Sequence, residues 1–196
     1  MRDWLKSSLN FLSPPPNFLT IECSLAKLKR ILGIDPGSRK TGFGVIESGR
    51  YHPAYVVSGV IRVEKFSGAD RLKNIFESVC QLIDQYQPDV MSVEKMFVYK
   101  NPKSALVLGQ ARGVILCAGA IKGVSIMEYT PTQIKSTIVG KGHASKDQVQ
   151  YMVQNLLKLT DTPQEDAADA LACALCHDRY MSLGIDPELI SKGTKF

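Results

Sequence analysis

The hydrophobic pattern of this chain changes period once, near residue 65, and that change constrains the fold more than any other feature. Before it, three short apolar runs follow in close succession. Ile31-Leu32-Gly33-Ile34-Asp35 is ended by Pro36-Gly37-Ser38, Gly42-Phe43-Gly44-Val45-Ile46 is ended by Ser48-Gly49-Arg50, and a third β-rich run covers residues 55–63. Strands joined by connections this short are antiparallel neighbours, so the three form a meander. After it, Leu72, Ile75, Phe76, Val79, Leu82 and Ile83 recur at helical intervals, and Pro88 separates this helix from a buried-type strand, Val90-Met91-Ser92-Val93. A helix over about 102–122 leads to a fifth strand at 124–127. Three more helical segments follow: a short one after Thr130-Pro131, then 146–157, then about 165–181. The expected class is α/β, a five-stranded mixed sheet of three antiparallel strands followed by parallel ones, with helices on both faces. No internal repeat is present.

The 196 residues, 44% hydrophobic and 22% charged, suffice for one domain with a sizeable core. We expect one core domain at 30–182, a weakly ordered extension at 1–29 interrupted by Pro14-Pro15-Pro16, and a tail at 183–196. No window holds about 18 consecutive apolar residues, so a soluble, cytoplasmic protein without a membrane partner is expected. The odd count of five cysteines, mostly inside apolar runs, points to reduced thiols. Charge is unevenly spread. The net charge is +5, yet residues 95–146 carry eight basic residues against one acid, Glu128, a local +7. A concentrated basic stretch in a chain otherwise near neutral suits a polyanionic partner, because Lys and Arg displace counterions from phosphates; a merely solvated basic face is the alternative.

The acids that could do chemistry sit at element ends. Asp35 lies at the exit of the first strand and Glu94 at the exit of the fourth; in a mixed sheet those exits can be adjacent. Asp166 and Asp169, three apart in Glu165-Asp166-Ala167-Ala168-Asp169-Ala170-Leu171-Ala172, project from one helix face, and the alanines around them let that helix approach the sheet closely. Taken singly, Asp35 also reads as a turn residue and Asp166 as a helix cap. Taken together, four converging carboxylates would repel one another and take up protons unless cations sat among them, which implies a hard divalent metal.

Gly33-Ile34-Asp35-Pro36-Gly37, Val93-Glu94-Lys95-Met96-Phe97, Gly140-Lys141-Gly142-His143-Ala144-Ser145-Lys146 and Asp166-Ala167-Ala168-Asp169-Ala170-Leu171-Ala172 resemble the motifs of the RuvC family of bacterial Holliday junction resolvases, over about residues 30–180. The resemblance implies an RNase H-like fold, a homodimer, and paired symmetric nicking of four-way DNA junctions in recombination and repair. It implies Asp35, Glu94, Asp166 and Asp169 as catalytic metal ligands, two Mg²⁺ per subunit with Mn²⁺ as a substitute, and cooperation with the RuvA–RuvB branch-migration complex. It also implies DNA contacts from Lys135, Lys141 and Lys146, and from Phe97 stacking on an unpaired base near the crossover. A catalytically silent junction-binding module, or an RNase H-like nuclease acting on another nucleic acid, remain alternatives.

Two other signals compete. Cys173-Ala174-Leu175-Cys176-His177 matches the c-type haem attachment pattern, although the helix carrying it accounts for the cysteines as small core residues. The Ile34–Gly42 region also resembles the first phosphate loop of actin-like ATPases, which need a duplicated domain that this chain is too short to hold. The segment 104–121, rich in Ala and Gly with Gly109 and Gly113 four apart, is read either as a close helix–helix contact or as packing on the sheet.

Overall fold

The computed structural model describes residues 29–49, 52–95 and 102–185. The expected extension, apart from Lys29, and the tail beyond Ile185 lie outside them.

Five strands, β1 (Arg30–Asp35), β2 (Lys40–Glu47), β3 (Ala54–Arg62), β4 (Val90–Glu94) and β5 (Ser125–Tyr129), make one sheet in the order β3-β2-β1-β4-β5. β3, β2 and β1 pair antiparallel, whereas β4 and β5 run parallel to β1. The helices are α1 (Gly68–Tyr86), α2 (Pro102–Ile121), α3 (Pro131–Val139), α4 (Lys146–Leu156) and α5 (Glu165–Ser182). β5 runs two residues past the expected end because Tyr129, fully buried, still pairs with Glu94. α1 also starts earlier and ends later than its apolar residues show, at an N-terminus where Ser67 makes no side-chain cap and a C-terminus where Gln87 turns left-handed.

Strand alternation sorts the core into two layers. Leu32, Ile34, Val45, Met91 and Val93 face α1 and α2, joining Ile75, Val79, Ile83, Ala111, Ile115 and Ala118. Ile31, Ile46 and Tyr129 face the other way, joining Leu171, Ala172 and Cys173 of α5, Val149 and Val153 of α4, and Ile134 and Ile138 of α3. By the same alternation Gly33 and Asp35 of β1, Ser92 and Glu94 of β4, and Lys40, Gly42 and Gly44 of β2 lie on the α5 face. Ser92 confirms it by donating from Oγ to the Cys173 carbonyl at 2.7 Å.

α5 lies almost on the sheet backbone. A Cβ at Gly33 would stand 2.0 Å from the Ala170 carbonyl oxygen, and one at Gly42 would stand 1.9 Å from that of Asp166. Only glycine permits this approach, and the alanines on α5 complete it. Ten residues of α5, including all of 170–177, are buried, so it is a core helix on nearly every side. Cys173 and Cys176 are buried in it. Burial pushes the Cys176 thiol up to about 12 and that of Cys173 well above its ordinary value. His177 hydrogen-bonds through Nδ1 to the Tyr129 hydroxyl at 2.7 Å. The Cys-x-x-Cys-His segment is thus used in packing.

α2 departs from expectation. By length and composition it is apolar enough to cross a membrane, with 22% of its most apolar stretch buried. Counting consecutive apolar residues misses this because Lys103, Gln110 and Arg112 break the run. One face, Ala111, Ile115, Ala118 and Gly119, packs inward, and Arg112 pairs with Glu128 of β5. Leu106 and Ile121 are exposed, and nothing lies within 4 Å of a Cβ built at Gly109 or Gly113. These glycines therefore do not pack on the sheet.

Candidate active site

β1 and β4 are paired in parallel with Ile34 opposite Val93, so the next residues along, Asp35 and Glu94, leave the sheet side by side on the α5 face. α5 crosses above them with its N-terminal turn over Gly42, bringing Asp166 and Asp169 to the same strand ends. Ligands in open α/β sheets collect outside the carboxyl ends of strands, and these acids stand there.

The four carboxylates feel one another. Burial, followed by the charges of Glu94 and Asp169, a hydrogen bond to Glu94 and the charge of Asp166, pushes Asp35 up to about 8. Burial also raises Glu94, opposed by the hydrogen bond that Asp35 donates and by Lys135 and Lys146. Asp169 is raised by burial, with Lys146 opposing. Asp35 and Glu94 are therefore unfavourable together as two bare carboxylates, the situation in which a cation would neutralise the pair. Among the described residues, no three His, Cys, Asp or Glu side chains stand close enough to form a finished metal cage. The donor set nevertheless fits a hard divalent cation: carboxylate oxygens only, mutually repelling, partly buried and reachable from one side.

Bases reach this place on two short helices. α3 begins immediately after β5 through a capping box between Thr130 and Gln133, with Pro131 at its first position; α4 begins with a second capping box between Ser145 and Gln148. These caps set where Lys135 and Lys146 emerge. With Glu94, Asp169, Pro131, Ile134 and Val149 they line a cavity of about 170 Å³ beside the acids. Lys146 hydrogen-bonds to Glu165 and stands 3.9 Å from Asp169. That bond to Glu165 raises Lys146 and lowers Glu165. Lys141 is exposed on the loop between α3 and α4.

The structure therefore brings together Asp35, Glu94, Asp166, Asp169, Lys135 and Lys146, and does not place Lys141 among them. Phe97 lies outside the described residues. The sequence analysis does not foresee the Lys146–Glu165 pair; the eighteen residues between them hide it, and only the placement of Glu165 beside Asp166 points there. A larger cavity, about 740 Å³, opens between His52–Ser58 and residues 156–163, without any of the candidate residues.

Residues 31–177 match the family model described as crossover junction endodeoxyribonuclease RuvC. The chain is 82% identical over 172 residues to a crossover junction endodeoxyribonuclease RuvC from Hydrogenovibrio crunogenus, covering 88% of this chain and 100% of the relative. It is 54% identical over 147 residues to the protein of that name from Pseudoalteromonas atlantica, covering 75% and 85%. Among solved structures, Thermus thermophilus RuvC in complex with a Holliday junction substrate matches with a TM-score of 0.75 and 32% identity, over 80% of this chain and 96% of that one.

Proposed function

The chain belongs to the RuvC family of crossover junction endodeoxyribonucleases, and from that membership we propose that Asp35, Glu94, Asp166 and Asp169 hold two Mg²⁺ ions per subunit beside a scissile phosphodiester of a four-way DNA junction. The protein is an endonuclease of this family, with the divalent-metal dependence that goes with it. The observation that carries the site assignment is geometric: the β1–β4 pairing sets Asp35 beside Glu94, and α5 brings Asp166 and Asp169 over the same strand ends, where burial and these neighbouring acids raise the Asp35 carboxyl to about 8. Such a group is unfavourable as a bare carboxylate and favourable beside cations.

Bound there, Mg²⁺ or Mn²⁺ supplies the Lewis acidity that activates a water and stabilises the departing 3′-oxygen. The chain's own residues do the rest. Asp35 would help hold both ions, Glu94 and Asp169 would each help hold one, and Asp166 would complete the set or orient the water. Lys146 leaves Glu165 to meet a phosphate oxygen and offset charge that develops there. Lys135 and Lys141 hold neighbouring phosphates, and Phe97 stacks on an unpaired base near the crossover.

A four-way junction has a twofold axis, so a homodimer presents equivalent sites to strands of like polarity and leaves symmetric, ligatable nicks. The outward face of α2 suits that dimer: Leu106, Gly109, Gly113 and Ile121 form an exposed stripe whose glycines admit a second helix closely. Cooperation with a RuvA–RuvB branch-migration complex and a cytoplasmic location complete the proposal by family membership.

The test is a synthetic four-way junction incubated with Mg²⁺ and either wild type or Asp35→Asn. Wild type should produce paired symmetric nicks, while the variant should bind without cutting. Wild type that binds and never cuts would leave a silent junction-binding module; preferential cutting of RNA-containing duplex would move the substrate class; equal cutting by the variant would remove the site.

A further inference from the structure

The bases considered so far flank the acids on one side, that of β5, α3 and α4. On the opposite side, Lys40 opens β2 and pairs directly with Arg62, the last residue of β3. Gly42, two residues from Lys40, abuts the Asp166 carbonyl, so alternation puts Lys40 on the α5 face as well. Arg62 is on that face too, since its Nη2 donates to the Gln164 Oε1 at 3.4 Å. Two like charges directly opposite on adjacent strands disfavour that pairing, and both residues are exposed. Arg39, adjacent to Lys40 in the chain, is also exposed. Acids offset this patch only in part: Glu64 stands 3.9 Å from Arg62, and Glu165, near Lys40, is already held by Lys146.

Position makes this patch more than a solvated surface. Asp35 pairs with Gly42 on β2, so Lys40 lies just beyond the carboxylates, and Arg62 lies one strand further, about 10 Å from β1. The acids therefore sit in a trough with cations along both banks. A phosphodiester strand crossing the acids from Lys135 and Lys146 must leave over β2 and β3.

We propose that Lys40 and Arg62, with Arg39 at their edge, form a second phosphate-binding bank that grips the cleaved DNA strand on the far side of the scissile bond from Lys135 and Lys146. This rests on the nuclease reading above and extends it. The two banks hold the strand at both ends of the reacting phosphate, so that phosphate is positioned over the acids by its neighbours rather than by its own contacts. No base is read here, so the bank contributes to affinity and alignment without sequence preference.

The experiment measures junction binding in Ca²⁺, across a salt series, for wild type, Lys40→Gln, Arg62→Gln and the double variant, with thermal unfolding of each. Lys40→Gln carries the test even if loss of the Arg62–Gln164 contact disturbs α5. The double variant should bind about tenfold or more weaker at 0.1 M salt, with the slope of log affinity against log salt reduced by about 1 to 2. A second arm uses junctions shortened on either side of the scissile phosphate. Removing the nucleotides on one side only should abolish the difference between wild type and variant. Wild-type affinity and slope in a folded double variant, alongside normal wild-type cutting, would overturn this bank and leave the nuclease reading intact. Wild type that neither binds nor cuts junctions would overturn both.

Discussion

Two long helices lie on opposite faces of the sheet, and the more apolar of them is the less buried. α5 carries two aspartates in its first two turns, yet is enclosed along residues 170–177; α2 has the composition of a membrane span, yet leaves Leu106 and Ile121 in solvent. Hydrophobicity alone would have exchanged their places. What decides is the surface each meets. α5 faces Gly33, Gly42 and Gly44, a floor with no side chains, so it sinks onto the sheet, is buried along 170–177, and carries its acids to the strand ends. α2 meets the sheet along one narrow face and, among the described residues, leaves apolar Leu106 and Ile121 exposed on another.

The contrast can be broken first at α5. Asp169→Asn should reduce junction cleavage by more than about 10³-fold, roughly 4 kcal/mol in barrier, while junction binding in Ca²⁺ persists; near-normal cleavage would detach α5 from the chemistry. Next comes the floor. Gly33→Ala places a methyl 2.0 Å from the Ala170 carbonyl and should cost about 3 kcal/mol of stability in urea unfolding, together with activity, because α5 must rise.

A smaller effect comes from pH without divalent cations. Asp35 is raised from 3.8 to about 8 in the folded state. The unfolded chain therefore loses this proton first, and folding stability falls as pH rises from near 4 to near 8. Asp35→Asn escapes that loss. Its stability advantage over wild type should be negligible at pH 4 and grow to a few kcal/mol by pH 8, and divalent cations should stabilise wild type selectively. A difference independent of pH would mean that Asp35 carries no such proton.

The α2 side should respond differently. Leu106→Glu with Ile121→Glu should weaken self-association by about 2 kcal/mol in sedimentation, without loosening the monomer. Smallest is Gly109→Ala, which meets nothing within 4 Å and should raise monomer stability by up to about 1 kcal/mol through helix propensity, the opposite sign to Gly33→Ala.

Much of this was readable beforehand, for physical reasons specific to each element. The strands and helices follow from periods that Leu32, Ile34, Ile75, Val79 and Ile83 make plain, and the four acids stand out because carboxylates at apolar element ends need partners. Helix ends without side-chain caps, as at Ser67, left no mark, and β5 was cut short because Glu128 and Tyr129 look like loop residues until Arg112 and His177 are seen to receive them. Lys146–Glu165 and Arg62–Gln164 join residues 19 and 102 positions apart. Such pairs follow from the diagonal course of α5, which no local pattern encodes.

Divalent cations bound among Asp35, Glu94, Asp166 and Asp169 would relieve the mutual repulsion that burial imposes on Asp35 and Glu94. Crystals of wild type soaked in Mn²⁺ test it through anomalous difference density. Two peaks bounded by Asp35, Glu94, Asp166 and Asp169 are the expected result. No peak among those carboxylates, at Mn²⁺ concentrations that support cleavage, would contradict it.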